Sequence, residues 1–447
     1  MTMARQYDFT EGNIAKQMIV FSLPIMFTNL LQVSYQFIDS FWVGNLLGAD
    51  SLAAVAVAST VIYTILSFII GMNNAALTIL SQQKGRNDDE GLKRYVNAFI
   101  VLLTGLSLIM GIFGFFASTP ILRWIGTPKE IIDEASEYLR INCLGIVFLF
   151  GYNFIGTILR ALGDSKTPLV FVVMAVVLNT GLDPIFISLL DLGVSGAAYA
   201  TILSQGLSFI CGMYVVVRRG LVPFSLPKLP TKKETGMILK LGIPSGLQMS
   251  VISAGIAAIM SVVNSFGESV VAGFSAAQRL DSIMMLPAHA LGTAVNSMAG
   301  QNIGKGNWKR VSSIAMYGLL YNMAVMGSII ILIYAFAAPA VRLFIEEADA
   351  VRFGTEYLRL VAWFYPFLGI NFVLNGIVRA SGAMYQVLVL NIISFWVLRY
   401  PLTFLCSKFA GENGIALGMG ISFLISSAIA FSYYRFGNWR NKRLFAH

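Results

Sequence analysis

Three acidic residues of this 447-residue chain lie inside long apolar segments: Asp39, Asp183 and Asp281. A carboxylate at the centre of a bilayer costs about 2.5–3.5 kcal/mol on insertion scales, so we expect each to face a cavity and to have a polar partner. Tyr35 lies four residues before Asp39, and Asn179 lies four residues before Asp183, a spacing that places each pair on one helix face. These pairs predict sites at which a carboxylate binds a proton or a cation inside a membrane.

Asp39 and Asp183 are predicted to act together. Each lies late in a helix that begins on the inner side, so the rise of about 1.5 Å per residue brings both to a similar depth in the outer half of the membrane. Two such acids can share a proton, because burial and a like-charged neighbour both disfavour the ionised form. We therefore predict proton coupling at Asp39 and Asp183, with Asn179 as their partner. A structural hydrogen-bonding role for each acid is the alternative.

Asp281 has a different sequence environment. Arg279 and Gln278 precede it closely, which favours an internal ion pair between Asp281 and Arg279. His289 has no acid within one turn, so we expect a structural histidine. The chain has only two histidines, His289 and His447, and its three cysteines form no CxxC motif, which excludes the usual zinc sites. We expect no metal and no cofactor.

The elements that position these residues are membrane-spanning segments. The chain is 57% hydrophobic and only 12% charged, which is too little charge for a soluble protein of this length. A helix needs about 20 apolar residues to cross a bilayer, and twelve such segments can be counted, six per half. Because backbone groups in hydrocarbon must bond internally, we predict an all-α integral membrane protein with twelve transmembrane helices.

The first half of the sequence returns in the second half. Residues 137–140 read EYLR, and so do residues 356–359, which lie 219 positions later. An even number of spans per half means that both copies enter from the same side, so we predict two parallel six-helix lobes related by a pseudo-two-fold axis along the membrane normal. The predicted parts are an N-terminal lobe (1–219), a proline-bearing cytoplasmic linker (220–236) and a C-terminal lobe with a basic cytoplasmic tail (237–447).

The duplication does not extend to the acids. Asp39 corresponds to Ala258 and Asn179 to Leu398 at the same offset, and no acid in the second half corresponds to Asp183. The ion chemistry is therefore predicted for the first lobe alone, and the second lobe is predicted to serve mainly as a moving wall.

Prolines do recur at matching places. Pro24 and Pro244 lie in the first helix of each half, and Pro184 and Pro401 lie in the fifth. An interior proline removes a backbone hydrogen bond and bends the helix. We predict hinges at Pro24 and Pro184, with static kinks as the alternative.

The net charge of +9 follows the membrane topology. With the N-terminus inside, seven of the 31 Lys and Arg fall in outer loops, two in spans and the other 22 in inner loops and termini. This positive-inside pattern predicts that both termini are cytoplasmic, and it explains the basic balance without nucleic-acid binding. Residues 1–12 lack the features of a cleaved signal peptide, so we expect an uncleaved multi-pass protein of the plasma membrane.

Four motifs follow one another along the first half: Pro24 with Asp39, Gln82-x-x-Gly85, Arg160-Ala161-x-Gly163-Asp164 and Asn179-x-x-x-Asp183-Pro184. In this order they resemble the multidrug and toxic compound extrusion (MATE) family, and most closely its DinF-like branch. The resemblance covers nearly the whole chain. It implies a transporter and not an enzyme, which exports organic cations and amphipathic drugs in exchange for protons or sodium ions.

The resemblance also implies roles for individual residues. The ion-linked residues of the DinF-like branch match Asp39, Asn179 and Asp183, and neighbours of that site match Tyr35, Gln36, Tyr138, Asn153 and Thr201. The NorM-like branch uses acids on the seventh and tenth helices, whereas residues 249–264 and 360–379 contain none here. This difference favours proton coupling through the first lobe.

The hypothesis is a proton-coupled drug antiporter that works as a monomer among membrane lipids. Ionised Asp39 and Asp183 attract a cationic drug, and protonation from outside neutralises the site, moves the first helix at Pro24 and releases the drug. The alternatives are a sodium-coupled drug antiporter and a lipid-linked oligosaccharide flippase of the same superfamily. Flippase cavities are often basic, whereas the arginines within spans are few here, Arg279 and Arg399. A channel and a membrane enzyme are less well supported, since no nucleophile–base pair is recognisable.

Overall fold

A computed structural model describes residues 6–224, 227–442 and 444–445, and within these ranges the regular structure is helical, without strands. The α-helices are α1 (Ile14–Leu47), α2 (Ala49–Gly85), α3 (Asp89–Trp124), α4 (Ile132–Leu144), α5 (Ile146–Ala161), α6 (Lys166–Pro184), α7 (Gly193–Arg218), α8 (Lys232–Asn264), α9 (Glu268–Met284), α10 (Leu286–Gly304), α11 (Trp308–Arg342), α12 (Ala348–Ala362), α13 (Tyr365–Ala380), α14 (Met384–Ile392), α15 (Tyr400–Ala410) and α16 (Asn413–Phe436). Two π-helical segments, Ile185–Leu189 and Ile393–Arg399, and a 3₁₀ turn, Asn438–Asn441, complete the regular structure of the described chain. The predicted all-α fold is confirmed.

Most of these helices are long and apolar enough to cross a membrane. In the described ranges nine helices meet that condition singly, and two bent pairs bring the number to eleven. The pair α4 and α5 bends by 52°, and the pair α12 and α13 bends by 56°. The pair α9 and α10 corresponds to α2 in the repeat, and Pro287 lies in the first turn of α10, just after the interruption. Nine to eleven candidate spans in the described chain are roughly consistent with the twelve predicted.

The described helices divide into two compact units. The boundary between the units falls inside two helices, α1 and α8. Unit 1 comprises Met1–Asp8 and Phe27–Gly242, and unit 2 comprises Phe9–Met26 and Ile243–His447. The division falls two residues after Pro24 in α1 and one residue before Pro244 in α8. Each of these prolines removes a backbone hydrogen bond from its helix, which permits a change of direction at the place where the helix passes from one unit to the other.

Small residues permit close packing between the helices of unit 1. A side chain added at Gly111 would approach the carbonyl oxygen of Cys143, and one added at Gly145 would overlap Ile202. The Ser208 hydroxyl of α7 donates to the carbonyl oxygen of Phe171 in α6 at 2.6 Å. Close approach of this kind is typical of helices that associate in a membrane, where the hydrophobic effect contributes little to association.

The N-terminal segment of unit 2 packs in that unit's interior. Phe9 is fully buried, and its backbone N–H donates to Gln301 Oε1 at 3.0 Å. Its carbonyl oxygen accepts from Asn302 Nδ2 at 2.9 Å and from Arg310 Nε at 2.7 Å. The ring packs edge-on against Phe21 of α1, with 4.8 Å between centroids. These contacts fix the start of α1 within unit 2.

The predicted ion pair between Asp281 and Arg279 is wrong. The Asp281 carboxylate accepts a hydrogen bond from the Tyr365 hydroxyl, whereas the Arg279 guanidinium lies over the Phe344 ring at 5.7 Å from its centroid. Residues two apart on a helix do not face each other, so the two side chains diverge. His289, the other residue of this region, packs its ring on Phe372 with 4.1 Å between centroids.

Candidate functional site

Unit 1 encloses a cavity of about 530 Å³ that is lined from α1, α2, α4, α5, α6 and α7. Six of the residues singled out in the sequence line it: Tyr35, Gln36, Asp39, Tyr138, Asn153 and Thr201. The break between α4 and α5 at Gly145 contributes to its wall. The remaining lining is mixed, with aliphatic side chains beside uncharged polar ones, which suits an amphipathic small molecule.

Several polar residues of this wall were missed from the sequence: Gln32, Tyr63, Asn142 and Tyr152. Two of them could have been found by helical spacing. Gln32 lies seven residues before Asp39, and Asn142 lies four after Tyr138, so each shares a face with a residue already identified. Tyr63 and Tyr152 lie in apolar helices whose cavity-facing side is decided by packing, and we find no sequence signal for them.

Asp39 is buried in the cavity wall, with 7% of its surface exposed. Its Oδ2 accepts a hydrogen bond from the Tyr138 hydroxyl at 3.1 Å. Its Oδ1 has no partner among the described residues. One phenol therefore positions the carboxylate, and one oxygen is left available for a proton or for a polar group of a ligand.

Asp183 and Asn179 contact each other on α6. Asp183 is fully buried, and its Oδ1 accepts from Asn179 Nδ2 at 3.0 Å. Neither residue belongs to the cavity lining, but Asp183 interacts electrostatically with Asp39. Directly after Asp183, α6 ends at Pro184 and the π-helical segment Ile185–Leu189 follows. Proline cannot continue the backbone ladder, and such local irregularities are frequent at functional sites.

Buried polar atoms without partners cluster at this place. In the described chain, five of them belong to residues named above: Tyr35 Oη, Asp39 Oδ1, Asn179 Oδ1, Asp183 Oδ2 and Thr201 Oγ1. The hydroxyls of Tyr35 and Thr201 approach each other but do not reach hydrogen-bond geometry. An unsatisfied buried polar atom costs about 1–3 kcal/mol, and bulk water is absent from the bilayer core. The cluster therefore favours uptake of a proton, a water molecule or a polar ligand group.

The described lining of the cavity has one charged residue, Asp39, and no lysine, arginine or histidine. Arg160 lies outside this lining but interacts electrostatically with Tyr152 of the wall. With the electrostatic contribution of Asp183, the field around Asp39 is negative when the two carboxylates are ionised, which favours a cation at this end of the cavity.

One equivalent place of unit 2 is filled by an aromatic side chain. At the offset of 219, Gly145 and Thr201 of the cavity wall correspond to Phe364 and Gly420. A side chain added at Gly420 would overlap the Phe364 ring. The ring therefore occupies the space that the missing side chain of Gly420 leaves open. At this pair of positions the repeat leaves open space in unit 1 and places a ring in unit 2.

The duplication and the membrane-spanning helices agree with a known family of transporters. The sequence profile of the MatE family matches residues 24–185 and again residues 244–405, one match in each half. The chain belongs to the MatE family. Its predicted membership of the MATE transporters is confirmed, and members of this family are membrane transporters and not enzymes.

Known relatives span the full length of this MATE protein. The probable multidrug resistance protein YpnP of Bacillus subtilis (strain 168) is 61% identical over 441 residues, which are 99% of each chain. YoeA of the same organism, also a probable multidrug resistance protein, is 29% identical over 447 residues, with 97% of this chain and 96% of YoeA covered. An outward-facing MATE transporter of the MOP superfamily matches with a TM-score of 0.92 at 25% identity, over 99% of this chain and 100% of its own.

Proposed function

We propose that this protein is a multidrug efflux antiporter of the plasma membrane, which exports cationic and amphipathic organic compounds in exchange for protons. The observation that carries the proposal is the cavity of unit 1. It combines a carboxylate, several unpaired buried oxygens and an absence of basic side chains in its described lining. The names of the Bacillus relatives, probable multidrug resistance proteins, agree with drugs as the substrate class.

The substrate class follows from size and lining. A volume of about 530 Å³ lies within the range of about 300–1,000 Å³ that small-molecule sites occupy. Aliphatic walls and the rings of Tyr35, Tyr63 and Tyr152 would hold a flat apolar body, and a tyrosine face also attracts a cation. A pyrophosphate-bearing lipid would meet a negative wall with no basic partner, which argues against the flippase alternative.

Proton coupling is supported by the two carboxylates and their partners. Asp39 and Asp183 interact electrostatically, and each retains an unpaired oxygen in a buried place. A proton shared between them would remove the charge that attracts the drug, while Asn179 and Tyr138 hold the two carboxylates in place. Drug and proton would thus exclude each other from one site, which is the linkage that antiport requires. Pro24 would serve as the hinge in α1.

The test is dye efflux from proteoliposomes driven by a pH gradient or by a sodium gradient. We expect the pH gradient to drive efflux, and Asp39→Asn to reduce the rate at least about tenfold, since an amide cannot bind and release the proton. Asp50→Asn is the matched control, because Asp50 is an exposed acid outside the cavity. Full efflux by Asp39→Asn at equal protein density would contradict the proposal. Efflux driven by the sodium gradient alone would show that sodium, and not the proton, is the coupling ion.

A further inference from the structure

Unit 2 contains a carboxylate site of its own, which the proposed function does not use. Asp281 of α9 is half-buried and accepts a hydrogen bond from the Tyr365 hydroxyl of α13. The Tyr357 hydroxyl of α12 donates to Met419 Sδ at 3.3 Å and lies beside the same carboxylate, with which it interacts electrostatically. Both tyrosines are 1% exposed. Two buried phenols thus converge on one acid within apolar spans.

The repeat relates this cluster to the site of unit 1. Tyr357 lies 219 residues after Tyr138, which donates to Asp39. Equivalent tyrosines therefore lie beside a carboxylate in both units. The carboxylate comes from a different helix in each case, because Asp281 corresponds to Ile62 of α2, and Ile62 lies in the cavity wall of unit 1. A search for acids at equivalent positions cannot detect this similarity.

A buried cation lies next to the cluster. Arg399 is 5% exposed and its guanidinium lies 3.7 Å from the Phe395 ring centroid and 4.6 Å from that of Phe423. Its Nε and Nη2 have no hydrogen-bond partner in the described part of the chain. Arg399 interacts electrostatically with Tyr357, so its charge acts on the same cluster. Asp281 with two phenols offers few oxygen ligands for a metal cation.

The charged and titratable surroundings of Asp281 are few. From the helices packed against α9, Tyr357 and Tyr365 reach the carboxylate, and Arg399 lies beyond Tyr357. On its own helix, Arg279 is turned to Phe344, and His289 of the neighbouring α10 packs on Phe372. No other described residue interacts electrostatically or by a side-chain hydrogen bond with the carboxylate. The proton is the ligand that fits an isolated acid held by the Tyr365 hydroxyl and lying beside that of Tyr357.

We infer that Asp281, held by Tyr365 and lying beside Tyr357, is a second proton-binding site of this transporter. A hydronium ion transfers its proton to the carboxylate. One O–H bond forms on Asp281, one O–H bond breaks in hydronium, and water is left. The Tyr365 hydroxyl can serve both states, since a hydroxyl donates to a carboxylate and accepts from a carboxylic acid. The inference rests on the proposed proton-driven efflux, and it extends the ion chemistry to unit 2.

The experiment compares Asp281→Asn, Tyr365→Phe and the control Arg279→Gln in proteoliposomes. Two quantities are measured: binding of tetraphenylphosphonium, and the pH profile of dye efflux driven by a pH gradient. We expect Asp281→Asn to bind tetraphenylphosphonium like the unaltered protein, because the cavity of unit 1 is intact, but to lose about fivefold or more in efflux with a shifted pH profile. Arg279→Gln should change neither quantity. An unchanged rate and pH profile in Asp281→Asn overturns the inference.

A structural role is distinguished by the second variant. Tyr365→Phe keeps the carboxylate and removes one donor, so it should shift the pH profile even where Asp281→Asn fails to fold. Lower thermal stability with an unchanged pH profile in Tyr365→Phe also overturns the inference. Asp39→Asn, measured in parallel, separates the two proposals: if it transports at the full rate, the proposed function fails, whatever Asp281→Asn shows.

Discussion

At the scale of single residues, the site of unit 1 is defined by atoms without partners. Asp39, Asp183 and Asn179 each leave one buried oxygen unpaired, although all three are hydrogen-bonded through their other polar atom. Such atoms are costly in a purely structural site. The same side chains are therefore positioned by one bond and remain able to react through the other, which is what a site that takes up and releases a proton requires.

Tyr138 tests this arrangement, because its hydroxyl is the one described donor to Asp39. Tyr138→Phe removes a hydrogen bond to a charged group, an interaction of about 1.5–3 kcal/mol. We expect pH-driven dye efflux to fall by about tenfold or more. Tyr199→Phe is the control, since Tyr199 is exposed on α7 outside the cavity lining. Equal rates for the two variants would show that the phenol does not position Asp39.

At the scale of helices, prolines mark the places where a continuous helix changes its packing. The unit boundaries fall beside Pro24 in α1 and Pro244 in α8, and π-helical segments follow α6 at Pro184 and precede Pro401 in α15. A proline leaves the preceding turn short of one hydrogen bond, so bending at these places costs less than elsewhere in the helix. The same feature supports the proposal that Pro24 is a hinge.

Pro24→Ala restores a backbone N–H in the middle of α1 and stiffens the helix at this place. We expect efflux to slow several-fold while the affinity for tetraphenylphosphonium stays the same, because a hinge affects conversion between states more than binding. Pro120→Ala is the matched control, since Pro120 also lies inside a helix, α3, which belongs to unit 1 throughout. A full rate in Pro24→Ala would make the proline a static kink.

At the scale of the whole molecule, one duplicated sequence has produced two different interiors. In unit 1 the small residue Gly145 lies against Ile202, and a cavity is left at Thr201. In unit 2 the ring of Phe364 lies against Gly420 instead. Gly145 and Thr201 are thus replaced at the equivalent positions by Phe364 and Gly420, and the ring takes up space that unit 1 leaves open at this place.

The orientation of the whole chain is testable by cysteine labelling. The positive-inside pattern predicts that Lys233 is cytoplasmic and Glu346 external, and both are exposed. With Cys143, Cys211 and Cys406 replaced, we expect a charged maleimide to label Glu346→Cys in intact cells, and Lys233→Cys only after permeabilisation. A membrane-permeant maleimide should label both, which controls for reactivity. Labelling of Lys233→Cys in intact cells would contradict cytoplasmic termini.

The sequence by itself determined the class of structure, the duplication and the candidate acids. These features depend on neighbouring residues or on periodic patterns, which can be read without knowing the tertiary contacts. They are the runs of apolar residues, the repeat at 219 positions and the spacing of Asn179 from Asp183. The positions of Tyr35, Asp39 and Tyr138 on one cavity wall agree with such reasoning.

Only the tertiary structure decided which distant side chains meet. It placed Tyr365 on Asp281, 84 residues away, where the sequence suggested Arg279, and it showed that Asp183 lies behind the cavity and not in its wall. It also showed that Phe364 fills in unit 2 what Gly145 leaves open in unit 1. Helical periodicity gives the face on which a residue lies, but which face meets which depends on how side chains of different size interlock between helices.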